Sequence, residues 1–437
     1  MATERDAEGS LRLGGMSLAE IARDARFGTP SYVYDVGAIA EEASAIRAAF
    51  EGAPSLVAYA VKANSAGPIV RALAQEGCGA DVVSGAELLV AHECGIAADK
   101  IVYSGVAKTD DEIDRALHAG DRGILALQIE SVEELFRIDA RARAAARTGR
   151  IAIRVNPGLE KEAAGTHAHV TTGHDEAKFG VARDDVGAAI SLANRSKHVE
   201  LVGISVHVGS QLTSTEAYVS GGRVAFDVAR AAREKGASLR FVGTGGGFGI
   251  DYGAGCPVKP ADFVRAIRAE QFAAGLGDLS LHVEPGRSLV GAHGVLVARV
   301  IQTKRTPYAA ESPERAWLVI DAGMNDLIRP ALYQAFHRIV PLEMAASGTH
   351  RCEPRSYRVV GPVCESSDDF GEHPSLLDGG FVAILDAGAY GFTMASQYNG
   401  RALPIEVFVR DGRIVAATER EPMEAWVEAR VRIPERR

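Results

Sequence analysis

Between residues 55 and 290 short apolar runs alternate eight times with segments of helical periodicity, and this alternation constrains the fold more than any other feature of the chain. The runs are Leu56–Val61, Ala80–Val83, Ile101–Tyr103, Ile124–Ile129, Ile151–Val155, Gly203–Val208, Arg240–Val242 and Leu279–Val283. Between them lie Ala-rich stretches such as Gly67–Gln75, Ala86–Glu93, Asp110–His118, Val132–Ala146 and Ala217–Lys235. The runs are nearly continuous in apolar residues, as strands buried on both faces must be. Eight strand–helix units of this length predict an α/β fold, a closed (β/α)8 barrel of TIM type.

After about residue 293 the texture changes to strands joined by turns: Val295–Thr303, Trp317–Ile320, Arg358–Val360, Phe381–Leu385, Ile405–Val409 and Arg413–Ala417. A second, mostly β C-terminal domain follows from that pattern. The expected division is an N-terminal segment over 1–50, a barrel over 51–292 and the β domain over 293–437. The N-terminal segment carries a helix near Ser17–Arg26 and a strand at Tyr32–Tyr34, which are assigned to the β domain.

Composition matters here mainly for what it excludes. With 437 residues, 47% hydrophobic and 24% charged, the chain can bury a large core as a soluble globular protein. Its formal net charge of -9 and the lack of any basic run argue against nucleic acid as a partner. The arginines from Arg141 to Arg147 sit on an Ala-rich helical stretch and read as a solvated helix face. No run is long enough to span a membrane and no signal peptide is visible. Five cysteines (Cys78, Cys94, Cys256, Cys352 and Cys364) show no paired spacing, so neither a zinc site nor a disulfide framework is expected. Reduced thiols and a cytoplasmic location follow as expectations.

Chemistry in such a barrel gathers at the C-terminal ends of the strands. The unusual polar residues fall there. Lys62 follows the first run, Arg154 and Asn156 end the fifth, and His207-Val208-Gly209-Ser210-Gln211 ends the sixth. Gly243-Thr244-Gly245-Gly246-Gly247-Phe248-Gly249 follows the seventh and Glu284-Pro285-Gly286-Arg287 ends the eighth. A lysine at the mouth of a buried strand can be partly desolvated, which lowers its pKa and makes it a good imine former. A strand-ending lysine pointing to water fits the same segment.

Three successive glycines let backbone N–H groups approach an anion, and loops after the seventh and eighth strands are the usual phosphate site of this architecture. A flexible turn is the alternative. The dinucleotide fingerprint fails on spacing, because Phe248 or Ile250 stands where its last glycine belongs. An imine lysine, a phosphate cradle and the carboxyl of Glu284 are the three parts that pyridoxal phosphate requires. His207 could stack on its ring, or could be a core histidine with satisfied hydrogen bonds.

With these residues together, the chain resembles the fold-type III pyridoxal-phosphate-dependent decarboxylases, and among them the diaminopimelate decarboxylase family. The likeness runs from Gly28-Thr29-Pro30-Ser31-Tyr32-Val33-Tyr34-Asp35 to about Pro404. Tyr59-Ala60-Val61-Lys62-Ala63-Asn64, Gly79-Ala80-Asp81-Val82-Val83-Ser84 and the His207, triple-glycine and Glu284 stretches are shared widely among relatives. Three C-terminal stretches are more specific: Asp321–Tyr333, Gly361-Pro362-Val363-Cys364-Glu365-Ser366 and Asp386-Ala387-Gly388-Ala389-Tyr390-Gly391.

The resemblance implies that Lys62 holds the cofactor as an imine, that Glu284 faces the pyridinium nitrogen and that His207 stacks on the ring. It implies that Ser210, Gly245, Gly246, Gly247 and Tyr390 reach the phosphate, with Pro285, Gly286 and Arg287 beside the cofactor. Arg287, Arg329, Tyr333 and Tyr390 would contact substrate, Glu365 would take its distal ammonium and Cys364 would return a proton to the carbanion. The family also implies a homodimer with shared sites, Cys364 and Glu365 coming from the partner. The implied reaction is decarboxylation of meso-2,6-diaminopimelate to L-lysine, the last step of lysine biosynthesis. Two departures stand out: Ala86 where a second glycine is common, and Ser367 where a glycine follows Cys364-Glu365-Ser366.

Rival readings keep the cofactor and change the chemistry. A lysine or ornithine decarboxylase would not need Arg329 and Tyr333 in their motif. A racemase needs an acid–base group on each face of Cα, and a silent regulatory relative would be expected to lose Lys62 or Cys364. His167, His169 and His174 have no carboxylate or cysteine at ligand spacing, so no metal is assigned to them. They fall in a segment that resembles the family's flexible loop after the fifth strand, which runs on to Lys178-Phe179-Gly180.

Overall fold

A computed structural model of the chain describes residues 3–158, 178–306, 316–344, 355–377 and 379–432. It divides into two compact units. The barrel unit comprises Ile39–Asp251 and Gly255–Leu289; the β unit comprises Met1–Ala38, Tyr252–Ala254 and Val290–Arg437.

The eight barrel strands are Ser55–Ala60, Gly79–Val82, Ile101–Tyr103, Ala126–Ile129, Gly149–Arg154, Val199–Ser205, Phe241–Gly243 and Ser280–Val283. Each pairs in parallel with its neighbours in chain order, and the eighth pairs with the first through Leu281–Ser55, His282–Leu56 and Val283–Val57, which closes the barrel. Several loops that lead from a strand end to a helix carry an N-cap side chain. Ser84, Thr109 and Ser131 accept the N–H groups of Glu87, Glu112 and Glu134, which would otherwise lack an intrahelical partner. Inside the wall the packing is tight. A Cβ on Gly203 would lie 2.4 Å from the ring of Phe241, so that position can carry no side chain while the ring stays put. The Phe241 ring in turn stacks on His282 with centroids 4.1 Å apart.

One charge is sealed within the barrel unit. The side chain of Lys108 is 0% exposed, and its ammonium donates to the carbonyls of Gly105 (2.7 Å) and Gln128 (2.6 Å) and to Glu134 Oε1 (2.9 Å). Three short, charge-assisted bonds offset the cost of burying the ion. They also fix the end of the fourth strand, where Gln128 lies.

The β unit is built around the long strand Gly294–Arg305. Its first half pairs with Ser31–Asp35 on one side and Phe381–Ile384 on the other; its second half pairs with Ala316–Ile320. Ser31–Asp35 continues in parallel to Ile405–Arg410, and Ala316–Ile320 in parallel to Arg355–Val360. The sheet is thus mixed. Two strands absent from the sequence reading, Ile339–Pro341 and Asp369–Leu376, complete it. Alternation puts Val33, Val295, Val297, Val407 and Val409 on one face, where they pack with Leu11, Leu13, Leu18 and Ile21. The N-terminal helix spans Leu18–Arg23, shorter than expected, because Asp24 takes an extended conformation at its end. Among the described residues no helix is long and apolar enough to cross a membrane.

Replacing Lys108 by Met should lower stability by roughly 3–5 kcal/mol, because Glu134 is left as a buried charge with no counterion. Denaturant unfolding measures this, and the double change Lys108→Met with Glu134→Gln should recover part of the loss.

Candidate active site

Lys62 stands in a single 3-10 turn, Val61–Ala63, that begins where the first barrel strand ends. The turn is clamped to the end of the eighth strand: the Ala60 N–H donates to the Pro285 carbonyl (3.0 Å), and a Cβ on Gly286 would fall 3.0 Å from that of Ala63. The Lys62 side chain is 37% exposed and its Nζ rests 2.7 Å from Oδ2 of Asp81, a carboxylate buried at the end of the second strand. The amine at this strand mouth is thus partly withdrawn from water and met by a counter-charge that neither reading of the segment, a desolvated lysine or one pointing to water, included.

Glu284 faces the same small pocket, of about 180 Å³, which Lys62, Asp81, Gln128, Arg154 and His207 also line. Its Oε1 accepts from Gln128 Nε2 at 3.1 Å. Burial, with the Asp81 charge beside it, pushes this carboxyl up to about 7, against the opposing pull of Lys62, Arg154 and the Gln128 hydrogen bond. Burial, helped by Arg154 and Lys62, holds the His207 imidazole well below its usual value, so the ring is neutral. Its Nδ1 accepts the Gly246 N–H at 3.3 Å, which leaves the ring proton on Nε2. The 3.9 Å approach of Nδ1 to Glu284 Oε2 is thus a polar contact and not an ion pair. Arg154 is oriented by Glu130 (2.9 Å) and lies 4.8 Å from the Phe179 ring centre.

The triple glycine has a structural cause. Gly245 and Gly247 have φ of +72° and +86°, and a Cβ on Gly246 would lie 2.0 Å from the Glu284 carbonyl oxygen. No other residue type lets this loop pass so close to the neighbouring strand ends. Arg287 Nη2 donates to Ser210 Oγ at 3.0 Å, so the residue expected to hold substrate also orients one expected to hold phosphate. A primary amine, a buried carboxyl, a neutral imidazole and a glycine-lined loop within one unit form the donor set that pyridoxal phosphate needs.

The barrel unit therefore gathers Lys62, His207, Ser210, Gly245, Gly246, Gly247, Glu284, Pro285, Gly286 and Arg287. The β unit carries Arg329, Tyr333, Cys364, Glu365 and Tyr390. Arg329 opens the short helix Arg329–Tyr333 and is 5% exposed. Its Nη1 donates to His337 Nε2 (2.6 Å), His337 Nδ1–H donates to the Leu385 carbonyl (2.9 Å), and the guanidinium lies 4.9 Å from the Tyr252 ring centre. A neutral histidine can orient the arginine without taking its charge. Cys364 and Glu365 are exposed, with the Cys364 N–H on Asn399 Oδ1 (2.9 Å) and Tyr398 Oη donating to Glu365 Oε1 (2.6 Å). Tyr390 is half-buried and holds φ of 56°.

The loop that leads into the Arg329–Tyr333 helix and the loop that carries Cys364 and Glu365 share one anchor. Asp368, 4% exposed, accepts the N–H groups of Met324 and Val363 through its two carboxylate oxygens, each at 2.6 Å. The departures noted above are accommodated. Ala86 lies inside the helix Gly85–Glu93, where alanine is favoured over glycine, and Ser367 is not among the residues with positive φ. Asp81 was legible only as part of a motif, and Gln128, His337 and Asp368 were not read as functional at all. A glutamine inside the apolar run ending at Ile129 was the available signal for one of them. His167, His169, His174 and Cys352 lie outside the described residues.

Residues 36–291 match the family model described as "Pyridoxal-dependent decarboxylase, pyridoxal binding domain". The chain is 38% identical to the diaminopimelate decarboxylase of Pseudomonas aeruginosa over 407 residues, covering 93% of this chain and 92% of that protein. It is 36% identical to the diaminopimelate decarboxylase of Aquifex aeolicus over 430 residues, 96% of each. The crystal structure of M. jannaschii diaminopimelate decarboxylase in complex with L-lysine superimposes with a TM-score of 0.88 at 33% identity, covering 99% of this chain and 98% of that one.

Asp368→Ala should orphan the buried Val363 amide, at a cost of roughly 1–3 kcal/mol, and the half-buried Met324 amide at less. Hydrogen exchange should accelerate at Met324 and Val363 while the amides of the barrel strands keep their protection.

Proposed function

The chain belongs to the diaminopimelate decarboxylase family of pyridoxal-dependent decarboxylases, and from that premise we propose the roles of its residues. It is a pyridoxal-phosphate-dependent carboxy-lyase that converts meso-2,6-diaminopimelate to L-lysine and carbon dioxide. The observation that carries the assignment of roles is that Lys62 and Glu284, from the first and last barrel strands, line one pocket beside a neutral imidazole. When bound, the cofactor supplies an electron-accepting ring; the protein supplies attachment, orientation and charge.

Lys62 is the point of covalent attachment. Asp81 holds its ammonium ready and is placed to keep a positive charge at that nitrogen. Glu284 holds a negative charge at the ring nitrogen, and its raised pKa is reversed once a cation faces it. His207 would cover one face of the ring, and as a neutral imidazole it would not repel a protonated ring. Ser210, Gly245, Gly246, Gly247 and Tyr390 hold the phosphate.

On the substrate, Arg287, Arg329 and Tyr333 hold the distal carboxylate, for which a guanidinium offers two parallel donors. Glu365 takes the distal ammonium, and Cys364 returns the proton to Cα. The exposure of Cys364 and Glu365 supports a homodimer in which each copy supplies these two residues to its partner. The four described cysteines are all free thiols, which supports a reducing cytoplasm.

Borohydride reduction of the cofactor-loaded enzyme should fix the label on Lys62, and Lys62→Ala should not be labelled. Carbon dioxide release should be fastest from meso-diaminopimelate among that substrate, D- and L-lysine, ornithine and arginine; faster release from lysine would remove the substrate assignment. Arg329→Ala should lower kcat/KM for diaminopimelate by roughly a hundredfold or more while the cofactor stays bound. Loss of cofactor together with activity would contradict the role given to that arginine.

A further inference from the structure

Gln128 lies in the fourth barrel strand and is 2% exposed. Every polar atom of its side chain is used. Oε1 accepts from Ser205 Oγ, while Nε2 donates to Ser104 Oγ at 2.9 Å and to Glu284 Oε1 at 3.1 Å. Ser104 Oγ in turn donates to Asp81 Oδ1, and Asp81 Oδ2 takes Lys62 Nζ at 2.7 Å. The directions are forced. Ionised carboxylates only accept, so Ser104 spends its proton on Asp81 and must receive one from the amide. An amide turned by half a revolution would set its oxygen against Ser104 and Glu284 and its nitrogen against the Ser205 proton. The backbone is pinned as well, because the Gln128 carbonyl accepts from the sealed ammonium of Lys108 at 2.6 Å.

We infer that Gln128 is a positioning residue that holds the Glu284 carboxylate and the Lys62–Asp81 pair in one buried hydrogen-bonded chain, and that its amide N–H favours the ionised form of Glu284. The inference rests on the roles proposed above for Lys62 and Glu284. The charged or titratable groups facing Glu284 are Lys62, Asp81, Arg154 and His207, one from the end of each of four other strands, and Tyr218 from the helix Glu216–Glu234. Of these, Asp81 opposes the carboxylate and Lys62 and Arg154 favour it. Gln128 adds the direct hydrogen bond that burial would otherwise leave unmade. A donor to the ionised form favours that form, so its loss must raise the pH at which Glu284 takes a proton.

The test uses the full-length protein without cofactor and reads the infrared band of protonated carboxyl groups against pH. The Glu284 component is identified by its loss in Glu284→Gln and is expected to have its midpoint near 7. Gln128→Met keeps the side chain's length and removes both donors. It should move the midpoint up by about one pH unit, a tenfold change in proton affinity. Gln128→Asn, which withdraws the amide by one methylene, should move it in the same direction and serves if the Met variant does not fold. An unshifted or lowered midpoint in either folded variant overturns the inference. Borohydride labelling of Lys62 in the same proteins tests the cofactor reading separately: absent labelling with a shifted band would remove that reading and leave the Gln128–Glu284 contact supported.

Discussion

The pairing of the last barrel strand with the first is the contact on which the rest of the site depends. Until Ser280–Val283 lies beside Ser55–Ala60, Lys62 and Glu284 belong to opposite ends of a long open sheet. Closure makes them neighbours and adds the Ala60–Pro285 hydrogen bond that clamps the two strand ends together. The triple glycine is part of the same constraint. Its loop threads so close to Glu284 and Gly209 that side chains there would collide with backbone.

Closure also concentrates charge at the strand ends, much of it buried, and the barrel deals with this by pairing between adjacent strand–helix units. Lys62 meets Asp81 from the first to the second strand, Lys108 meets Glu134 across the third and fourth, and Arg154 meets Glu130 from the fifth to the fourth. Each of these three cations has a carboxylate from a neighbouring strand–helix unit, which offsets the desolvation penalty. Where burial outweighs the neighbouring charges, as at His207 and Glu284, the group shifts toward neutrality. The β unit reaches the same end differently. There a neutral histidine orients Arg329, and a single buried carboxylate, Asp368, anchors the two loops that carry the candidate substrate residues.

Much of this architecture is legible in the sequence because it depends on periodicity. Seven of the eight barrel runs were placed within about three residues of their strands, since buried parallel strands are short and uniformly apolar. The sixth run, Gly203–Val208, starts four residues late, because the strand Val199–Ser205 already includes Val199–Val202 ahead of that glycine. Residues at strand ends were equally readable, because the architecture itself says where chemistry collects. What escaped notice was polar residues whose meaning is only pairwise. Gln128 looks like a flaw in an apolar strand until Ser104, Ser205 and Glu284 converge on it. His337 and Asp368 sit in loops whose spacing says nothing about what they touch. Asp369–Leu376, with Glu372, His373, Pro374 and Ser375 in its middle, lacks the apolar alternation that reveals a strand.

The β unit is assembled from both ends of the chain, and this sets a timetable. Ser31–Asp35 leaves the ribosome early, yet both of its sheet neighbours, Gly294–Arg305 and Ile405–Arg410, are made only after the whole barrel has been synthesised. During translation the barrel can condense as its own strands emerge, while Ser31–Asp35, with Tyr32, Val33 and Tyr34 at its centre, waits unpaired with its edges open. The nascent chain must therefore keep that strand from foreign partners for most of its synthesis, and a ribosome stalled past the barrel but short of residue 294 would carry eight barrel strands with Ser31–Asp35 still unpaired and the substrate residues of the β unit not yet made.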